Sequence, residues 1–100
     1  MTQSHIITTI QKEVKNSPYR KDIREVFLFG SYAYGSPKDE SDIDLLFVFE
    51  PKSSISFFDL VEIQSKMEKN IGKKIDLLTP EALNENIKEN ILSKAQKIYG

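Results

Sequence analysis

A small α/β domain, in which helices flank a mixed β-sheet, is the fold class that the sequence predicts. Three short runs rich in β-branched and aromatic residues are typical of strands, and three longer stretches repeat their apolar residues at helical spacing. The chain has 100 residues, the size of one domain, so residues 1–100 are expected to form a single unit. The predicted order is helix, strand, turn, strand, helix, strand, helix.

The first half of the chain contains one helix and two strands. Isoleucines and a valine recur at helical spacing from Ile6 to Val14, and the helix is predicted to end near Pro18. The run at 25–30 is short, aromatic and ends on glycine, as a buried strand does. The run at 42–50 is almost entirely apolar from Leu45 to Phe49, which is typical of a central strand.

The sequence of the second half of the chain predicts a helix, a strand and a final helix. The long helix begins at about Ser56 and ends at Gly72, a plausible C-cap, and a strand spans 73–80. Thr79, Pro80 and Glu81 form a helix start, so the last helix is expected to follow directly. The apolar positions expected on these two helices are Phe57, Leu60, Val61, Met67 and Ile71, then Leu83, Ile87, Ile91, Leu92, Ala95 and Ile98.

The connections between strands constrain the sheet only in part. A strand, a helix and a strand that share a sheet form a right-handed crossover, so the second and third strands should be parallel. The first two strands are antiparallel neighbours or cross over through a short helical turn, and spacing leaves both open. The aromatic residues Phe27, Phe29, Phe47 and Phe49 are expected in the core, whereas Phe57 and Phe58 need not both be buried.

Composition excludes several classes of protein. A net charge of −1 provides no basic surface for nucleic acid, and the absence of cysteine excludes disulfides and thiolate metal sites. The amino terminus lacks the pattern of a signal peptide, and no apolar run approaches a membrane span. A cytoplasmic protein with no membrane or direct nucleic-acid partner is the expectation.

Two aspartates, Asp42 and Asp44, stand at the start of the apolar second strand. Alternate strand residues point the same way, which puts their Cα atoms roughly 6.6 Å apart on one face. Two charges about 4 Å apart repel by on the order of 4 kcal/mol at an effective dielectric of 20. Such a pair stays solvated, shifts a pKa or holds a cation, and Mg²⁺ with its oxygen ligands fits best.

A third acid, Asp76, interrupts the third apolar strand. If that strand lies beside the second, three carboxylates meet on one face, as they do in two-metal sites for phosphoryl or nucleotidyl transfer. The alternative is an acid at a strand edge, paired with Lys73 or Lys74.

A phosphate cradle is predicted beside these acids. Gly30 and Ser31 follow the first strand and open a turn that closes at Gly35, where free backbone N–H groups and the Ser31 hydroxyl can donate to phosphate oxygens. The two glycines have Walker A spacing, but Ser36-Pro37 replaces the essential Lys and Ser/Thr, so this is not a P-loop.

The chain contains Gly30-Ser31, then ten residues, then Asp42-x-Asp44. This pattern resembles that of the DNA polymerase β-like nucleotidyltransferase superfamily. The whole chain is similar to its smallest branch, the minimal nucleotidyltransferase (MNT) of HEPN/MNT toxin-antitoxin pairs, which implies the polymerase β-like palm fold. The resemblance implies that Asp42, Asp44 and Asp76 bind metal and catalyse, and that Gly30, Ser31 and Gly35 bind the nucleotide. Many relatives have arginine where Tyr34 stands, which puts that triphosphate contact in doubt.

The function that this resemblance implies is Mg²⁺-dependent transfer of AMP from ATP, with two metal ions. The acceptor would be a tyrosine hydroxyl of a cognate HEPN toxin ribonuclease, held in a hetero-oligomer and silenced by the modification. Asp76 would accept the hydroxyl proton. Two alternatives stay open: a non-catalytic antitoxin that binds and occludes the toxin, and a nucleotidyltransferase that modifies a small molecule.

Overall fold

The structure, a computed structural model, describes residues 2–30 and 42–100. Three α-helices, four strands and one 3-10 turn are formed by these residues. In chain order they are α1 (Gln3–Lys15), β1 (Ile23–Phe29), β2 (Ile43–Phe49), α2 (Phe57–Ile71), β3 (Ile75–Leu78), the 3-10 turn (Pro80–Ala82), α3 (Glu85–Lys94) and β4 (Gln96–Tyr99).

One mixed sheet holds all four strands in the order β3-β2-β1-β4. β2 and β3 are parallel, as the crossover through α2 predicted. β1 and β2 are antiparallel neighbours, which decides between the two arrangements that spacing left open. The small mixed α/β sheet predicted from the sequence is therefore confirmed.

Local sequence signals set the ends of the first two helices. Thr2 caps α1 by accepting a hydrogen bond from the His5 backbone N–H, and Asn16 closes the helix as predicted. At Ser56 a complete capping box starts α2, because the Ser56 and Asp59 side chains each accept the other's backbone N–H. Gly72 ends α2 in the left-handed conformation at φ 81°, which confirms the predicted C-cap.

The main core lies between the sheet and the pair α1 and α2. Along α1 the side chains of Ile6, Ile10 and Val14 are buried, and Ile63, Met67 and Ile71 are their counterparts on α2. These residues form one cluster with the sheet residues Ile23, Val26, Leu28, Ile43, Leu45, Phe47, Ile75 and Ile98. Burial of this apolar surface is the dominant favourable term in folding.

The opposite face of the sheet is only partly covered. Leu46 is fully buried but does not belong to the main core cluster, because alternate residues of β2 point to opposite faces. α3 contacts β1, and the 3-10 turn contacts β2. Of the four aromatic residues expected in the core, Phe47 is fully buried, whereas Phe27, Phe29 and Phe49 are half-buried.

The buried face of α2 differs from the predicted stripe. Phe57 and Val61 are exposed, and Ile63 joins Met67 and Ile71 in the core instead. Ile63 follows Val61 by two residues, about 200° around a helix, so the two side chains cannot share a face. The apolar residues of α2 can be grouped into two overlapping stripes at helical spacing, and packing against the sheet decides which stripe is buried.

The predicted final helix is wrong at both ends. At its start, Pro80–Ala82 forms a separate 3-10 turn, and Leu83 has an extended backbone (φ −109°, ψ 143°) that interrupts helical geometry. At its end, α3 stops at Lys94 and residues 96–99 form β4 on the open edge of β1. Ile98 is buried there. Its helical spacing from Ile91 was coincidental, whereas the β-branched and aromatic pair Ile98-Tyr99 was the strand signal.

No helix in the part of the chain that the structure describes is long and apolar enough to cross a membrane.

Tyr19 links the loop after α1 to the first turns of α2. Its hydroxyl lies 2.8 Å from the Glu62 Oε2 atom and 3.1 Å from the Asp59 Oδ1 atom. The hydrogen bond to Glu62, with desolvation and the bond to Asp59, raises the pKa of Tyr19 to about 12. An ionised phenolate beside two carboxylates is unfavourable, so folding favours the neutral hydroxyl.

We expect Tyr19 to make stability fall at alkaline pH. Because its folded pKa is about 12 and its unfolded pKa is near 10, the contribution is complete below pH 10 and is lost as pH rises towards 12. Urea unfolding at pH 9 to 11.5 should show a steeper loss in the wild type than in Tyr19→Phe. Parallel pH profiles for the two proteins would contradict this assignment.

Candidate active site

Three aspartates are brought together at one end of the sheet. Asp44 pairs with Asp76 across the parallel β2–β3 ladder, and Asp42 lies two residues before Asp44. The register is held at this end by a 2.9 Å hydrogen bond from the Ile43 N–H to the Lys74 carbonyl. Asp42, Asp44 and Asp76 therefore share one face, as alternation along neighbouring strands requires.

These carboxylates lie on the face opposite the main core. Asp44 and Leu46 are two residues apart on β2 and point to the same face, whereas the core residues Ile43 and Leu45 point to the other face. Asp44 is half-buried, the Asp42 side chain is 39% exposed, and Asp76 is exposed. The cluster is thus anchored by buried neighbours on the other face while its own oxygens remain accessible from solvent.

Asp44 is the electrostatic centre of the cluster. Burial raises the pKa of its carboxyl, and the negative charges of Asp76 and Asp42 raise it further. A hydrogen bond to Asp76 favours the protonated form of Asp44 in the same direction. A divalent cation at this place would relieve the repulsion that now disfavours the charged form.

Lys74, which the sequence offered as a partner for Asp76, places its positive charge beside Asp42 in the structure. Its Nζ atom lies 3.9 Å from the Asp42 Oδ2 atom, and its side chain is 70% exposed. Because Ile43 pairs with Ile75, Lys74 stands beside Asp42 in the preceding position of the two strands. An exposed ion pair of this length contributes at most about 1 kcal/mol, so it is easily displaced.

Gly30 brings the backbone at the end of β1 against Asp44. Its φ of +75° is in the left-handed region, and a Cβ placed there would collide with the Asp44 carboxylate, whose Cγ would be only 3.1 Å away. Only glycine meets both requirements without strain. The other predicted phosphate-binding residues, Ser31 and Gly35, and also Tyr34, lie outside the described residues.

The carboxylate oxygens of the three aspartates are suitable ligands for a magnesium ion. All three side chains offer carboxylate oxygens, the hard ligands that Mg²⁺ prefers. Within residues 2–30 and 42–100, no three His, Asp or Glu side chains stand at the spacing of a ready metal site. The three carboxylates nevertheless share one face, and a cation bound among them would offset the repulsion that raises the pKa of Asp44.

Comparison with known proteins decides the family. The family model described as polymerase beta, nucleotidyltransferase, matches residues 8–100. The chain belongs to the polymerase β nucleotidyltransferase family. This nucleotidyltransferase is 33% identical over 87 residues to the protein adenylyltransferase MntA of Thermococcus cleftensis, covering 87% of this chain and 83% of the relative. A protein of Methanocaldococcus jannaschii provisionally named a protein adenylyltransferase, MJ1379, is 34% identical over 91 residues, covering 90% of this chain and 91% of the relative.

Solved structures share the fold of this nucleotidyltransferase. A protein provisionally described as a minimal nucleotidyltransferase has a TM-score of 0.79 at 25% identity, covering 95% of this chain and 94% of that chain. A complex of the tri-AMPylated HEPN toxin and MNT antitoxin of Shewanella oneidensis gives 0.72 at 18% identity, covering 99% and 73%. A toxin-antitoxin with AMP-PNP gives 0.77 at 20% identity, covering 94% and 73%. The predicted family, fold class and enzyme class are confirmed.

Gly30 and Gly72 offer a matched pair for measuring the contact with Asp44. Both have positive φ, but a Cβ at Gly72 would meet nothing within 4 Å. Gly72→Ala should cost about 1 kcal/mol from the left-handed backbone alone, and Gly30→Ala should cost more because the Asp44 carboxylate must also move aside. Urea denaturation measures both. Asp44→Ala should recover the difference in the Gly30→Ala background, and equal losses at the two glycines would refute the contact.

Asp44→Asn should stabilise the metal-free domain at pH 7. The variant removes a charge that its neighbours repel, and the amide can still donate to Asp76. Because Asp44 is partly exposed, screening limits the gain to less than about 1 kcal/mol, or at most roughly 4–8 °C in Tm.

The pH dependence of that gain follows from the sign of the shift. A raised folded pKa destabilises only where the carboxyl is charged, so the advantage of Asp44→Asn should vanish as pH falls below about 3.9. Thermal melts at pH 7 and pH 3.5 test both statements. A lower Tm for the variant at pH 7 would contradict the repulsion.

Proposed function

We propose that residues 1–100 form a single minimal nucleotidyltransferase domain that transfers AMP from ATP to a tyrosine hydroxyl of a cognate HEPN toxin. The modification would neutralise the toxin, which makes this chain the antitoxin of a cytoplasmic toxin-antitoxin pair. The convergence of Asp42 and Asp76 on Asp44, beside Gly30, is the observation that carries the proposal. Relatives named protein adenylyltransferases support AMP as the transferred group.

The reaction is an in-line displacement at the α-phosphorus of ATP. The tyrosine oxygen forms the new P–O bond, the bond to the α,β-bridging oxygen breaks, and pyrophosphate leaves with that electron pair. Asp76, the exposed member of the cluster, accepts the hydroxyl proton. Asp42 and Asp44, with Asp76, would hold Mg²⁺, in two ions by family analogy, and bound Mg²⁺ supplies charge neutralisation on the phosphates.

Binding of the nucleotide is assigned to the segment that follows β1. Gly30 lets the backbone approach both Asp44 and an anion, and Ser31 and Gly35 are proposed to complete the phosphate cradle with backbone N–H groups. Lys74 is released from Asp42 when a cation arrives, which leaves its ammonium close to the phosphates. These parts would hold the triphosphate, whereas the acceptor tyrosine must come from another protein.

Occlusion of the toxin without catalysis is the second candidate, and one observation favours it. Phe57 and Phe58 are both exposed, as a binding surface requires and a reaction at the acid cluster does not. The two functions are compatible, and substitution of the acids separates them.

Loss of transfer in Asp42→Asn and Asp44→Asn is the expected result. The protein is incubated with Mg²⁺, the cognate HEPN protein and ATP labelled at the α- or the γ-phosphate. Only α-label should reach the HEPN band, and each variant should reduce it by at least about 100-fold, as loss of electrostatic stabilisation of the transition state does.

Glu89→Asn, an exposed acid on α3, serves as the control and should leave transfer unchanged. Unchanged transfer in the two aspartate variants would refute the assignment of the metal ligands. Full neutralisation of the toxin by an Asp42→Asn, Asp44→Asn double variant would favour occlusion.

A further inference from the structure

Exposed large apolar side chains concentrate at the start of α2. Among the described residues they are Phe57, Phe58 and Val61, with 73%, 82% and 44% of their surfaces exposed. The two phenylalanine rings are in edge contact, with centroids 6.2 Å apart. An exposed aromatic pair on a helix whose other face is fully packed serves no purpose in the fold, and such patches typically mark interaction sites.

A surface hollow of about 300 Å³ lies beside α2, and Phe49, Ile55 and Leu60 contribute its apolar lining. The three patch residues do not line the hollow themselves, but Leu60 does, and it follows Phe57 by one helical turn on the same side of α2. Leu60 therefore connects the hollow to the patch. We call the hollow and the patch together the α2 groove.

The rim of the α2 groove is acidic. Glu50 and Glu81, both exposed, line the hollow from the ends of β2 and the 3-10 turn, and none of the described residues that line it is basic. Glu62 on α2 adds negative charge behind Phe58, although its carboxylate also accepts the Tyr19 hydroxyl. Lys52 is exposed in the neighbouring turn but does not line the hollow. Ser53 and Thr79 add uncharged polar groups to the lining. Apolar side chains next to two exposed glutamates complement a ligand that carries both apolar and cationic groups.

The α2 groove is distant from the acid cluster. Asp44 stands near the start of β2 and Phe49 at its end, and five residues of strand span about 17 Å. The groove and the acids therefore lie at opposite ends of β2, and a partner that contacts both must span about 17 Å.

We propose that the α2 groove binds a protein segment that inserts an apolar side chain between Phe57 and Leu60 and places Lys or Arg against Glu50 and Glu81. Aromatic residues at the centre of such a surface provide most of the binding energy, and the acidic rim selects the partner. That the segment belongs to the acceptor protein rests on the proposed function.

Two synthetic peptides test the groove without any assumption about catalysis. One is a 14-residue amphipathic helix of Leu and Lys, and the other carries Glu in place of each Lys. Calorimetric titration should show that the wild type binds the Lys peptide at least about tenfold more tightly than the Glu peptide. Phe57→Ser, Phe58→Ser should lose about tenfold in affinity for the Lys peptide, with an unchanged circular dichroism spectrum.

Charge reversal tests whether Glu50 and Glu81 themselves select the Lys peptide or whether any negative charge on the domain attracts it. Glu50→Lys, Glu81→Lys should reverse the preference between the peptides, whereas the matched change Glu89→Lys on α3 should not. Equal affinity of wild type and the serine variant would overturn the proposal. Self-association that disappears in the serine variant would also overturn it, because a second copy would then cover the groove.

Transfer to the cognate HEPN protein links the groove to the acceptor. The serine variant should raise the apparent KM for that protein by about tenfold and leave kcat and the KM for ATP unchanged. A wild-type KM in the variant would overturn the link. If the wild type itself transfers nothing, the proposed function fails, and the peptide titrations alone decide whether the groove binds.

Discussion

Parallel pairing of β2 with β3 is the constraint on which the acid cluster depends. The pairing puts Asp76 beside Asp44, although 31 residues separate them in the chain. It exists because α2 returns the chain to the starting end of β2, and because Ile63, Met67 and Ile71 hold α2 on the sheet. A one-residue slip would turn Asp76 towards the apolar core, so the buried isoleucines that flank the acids enforce their position.

The acid cluster lowers the stability of the fold that positions it. Asp44 carries a charge that its burial and its neighbours disfavour, and Gly30 keeps a left-handed backbone to make room for it. The charge on Asp44 is unfavourable in isolation and is held in place by the packed core on the other face of β2, whereas the left-handed backbone costs glycine no strain. The acids lie on the face of the sheet that is only partly covered, and the main core cluster lies on the other side.

The two ends of the sheet have different chemistry. At the start of β2 and β3 the surface is polar and anionic, suited to a cation and phosphates. At the end of β2 it combines exposed apolar side chains with two exposed glutamates, suited to a protein. In so small a domain the same helix, α2, joins both ends, since its first turns carry Phe57 and Phe58 and its last turn precedes the strand of Asp76. A protein substrate would be held at one end and modified at the other.

The sequence by itself determined most of the local elements and the parallel crossover, and it predicted that Asp42, Asp44 and Asp76 would share one face. Caps at Ser56 and Gly72, strand composition and the pattern from Gly30 to Asp44 are local signals, read over a few residues. Tertiary structure alone decided that β1 and β2 are antiparallel, that residues 96–99 leave the last helix to become β4, and which face of α2 is buried. Helical spacing fits Phe57 and Ile98 as well as it fits true core positions, because periodicity describes a segment and not its partner. The open edge of β1 and the surface that α2 packs against exist only after the sheet has formed.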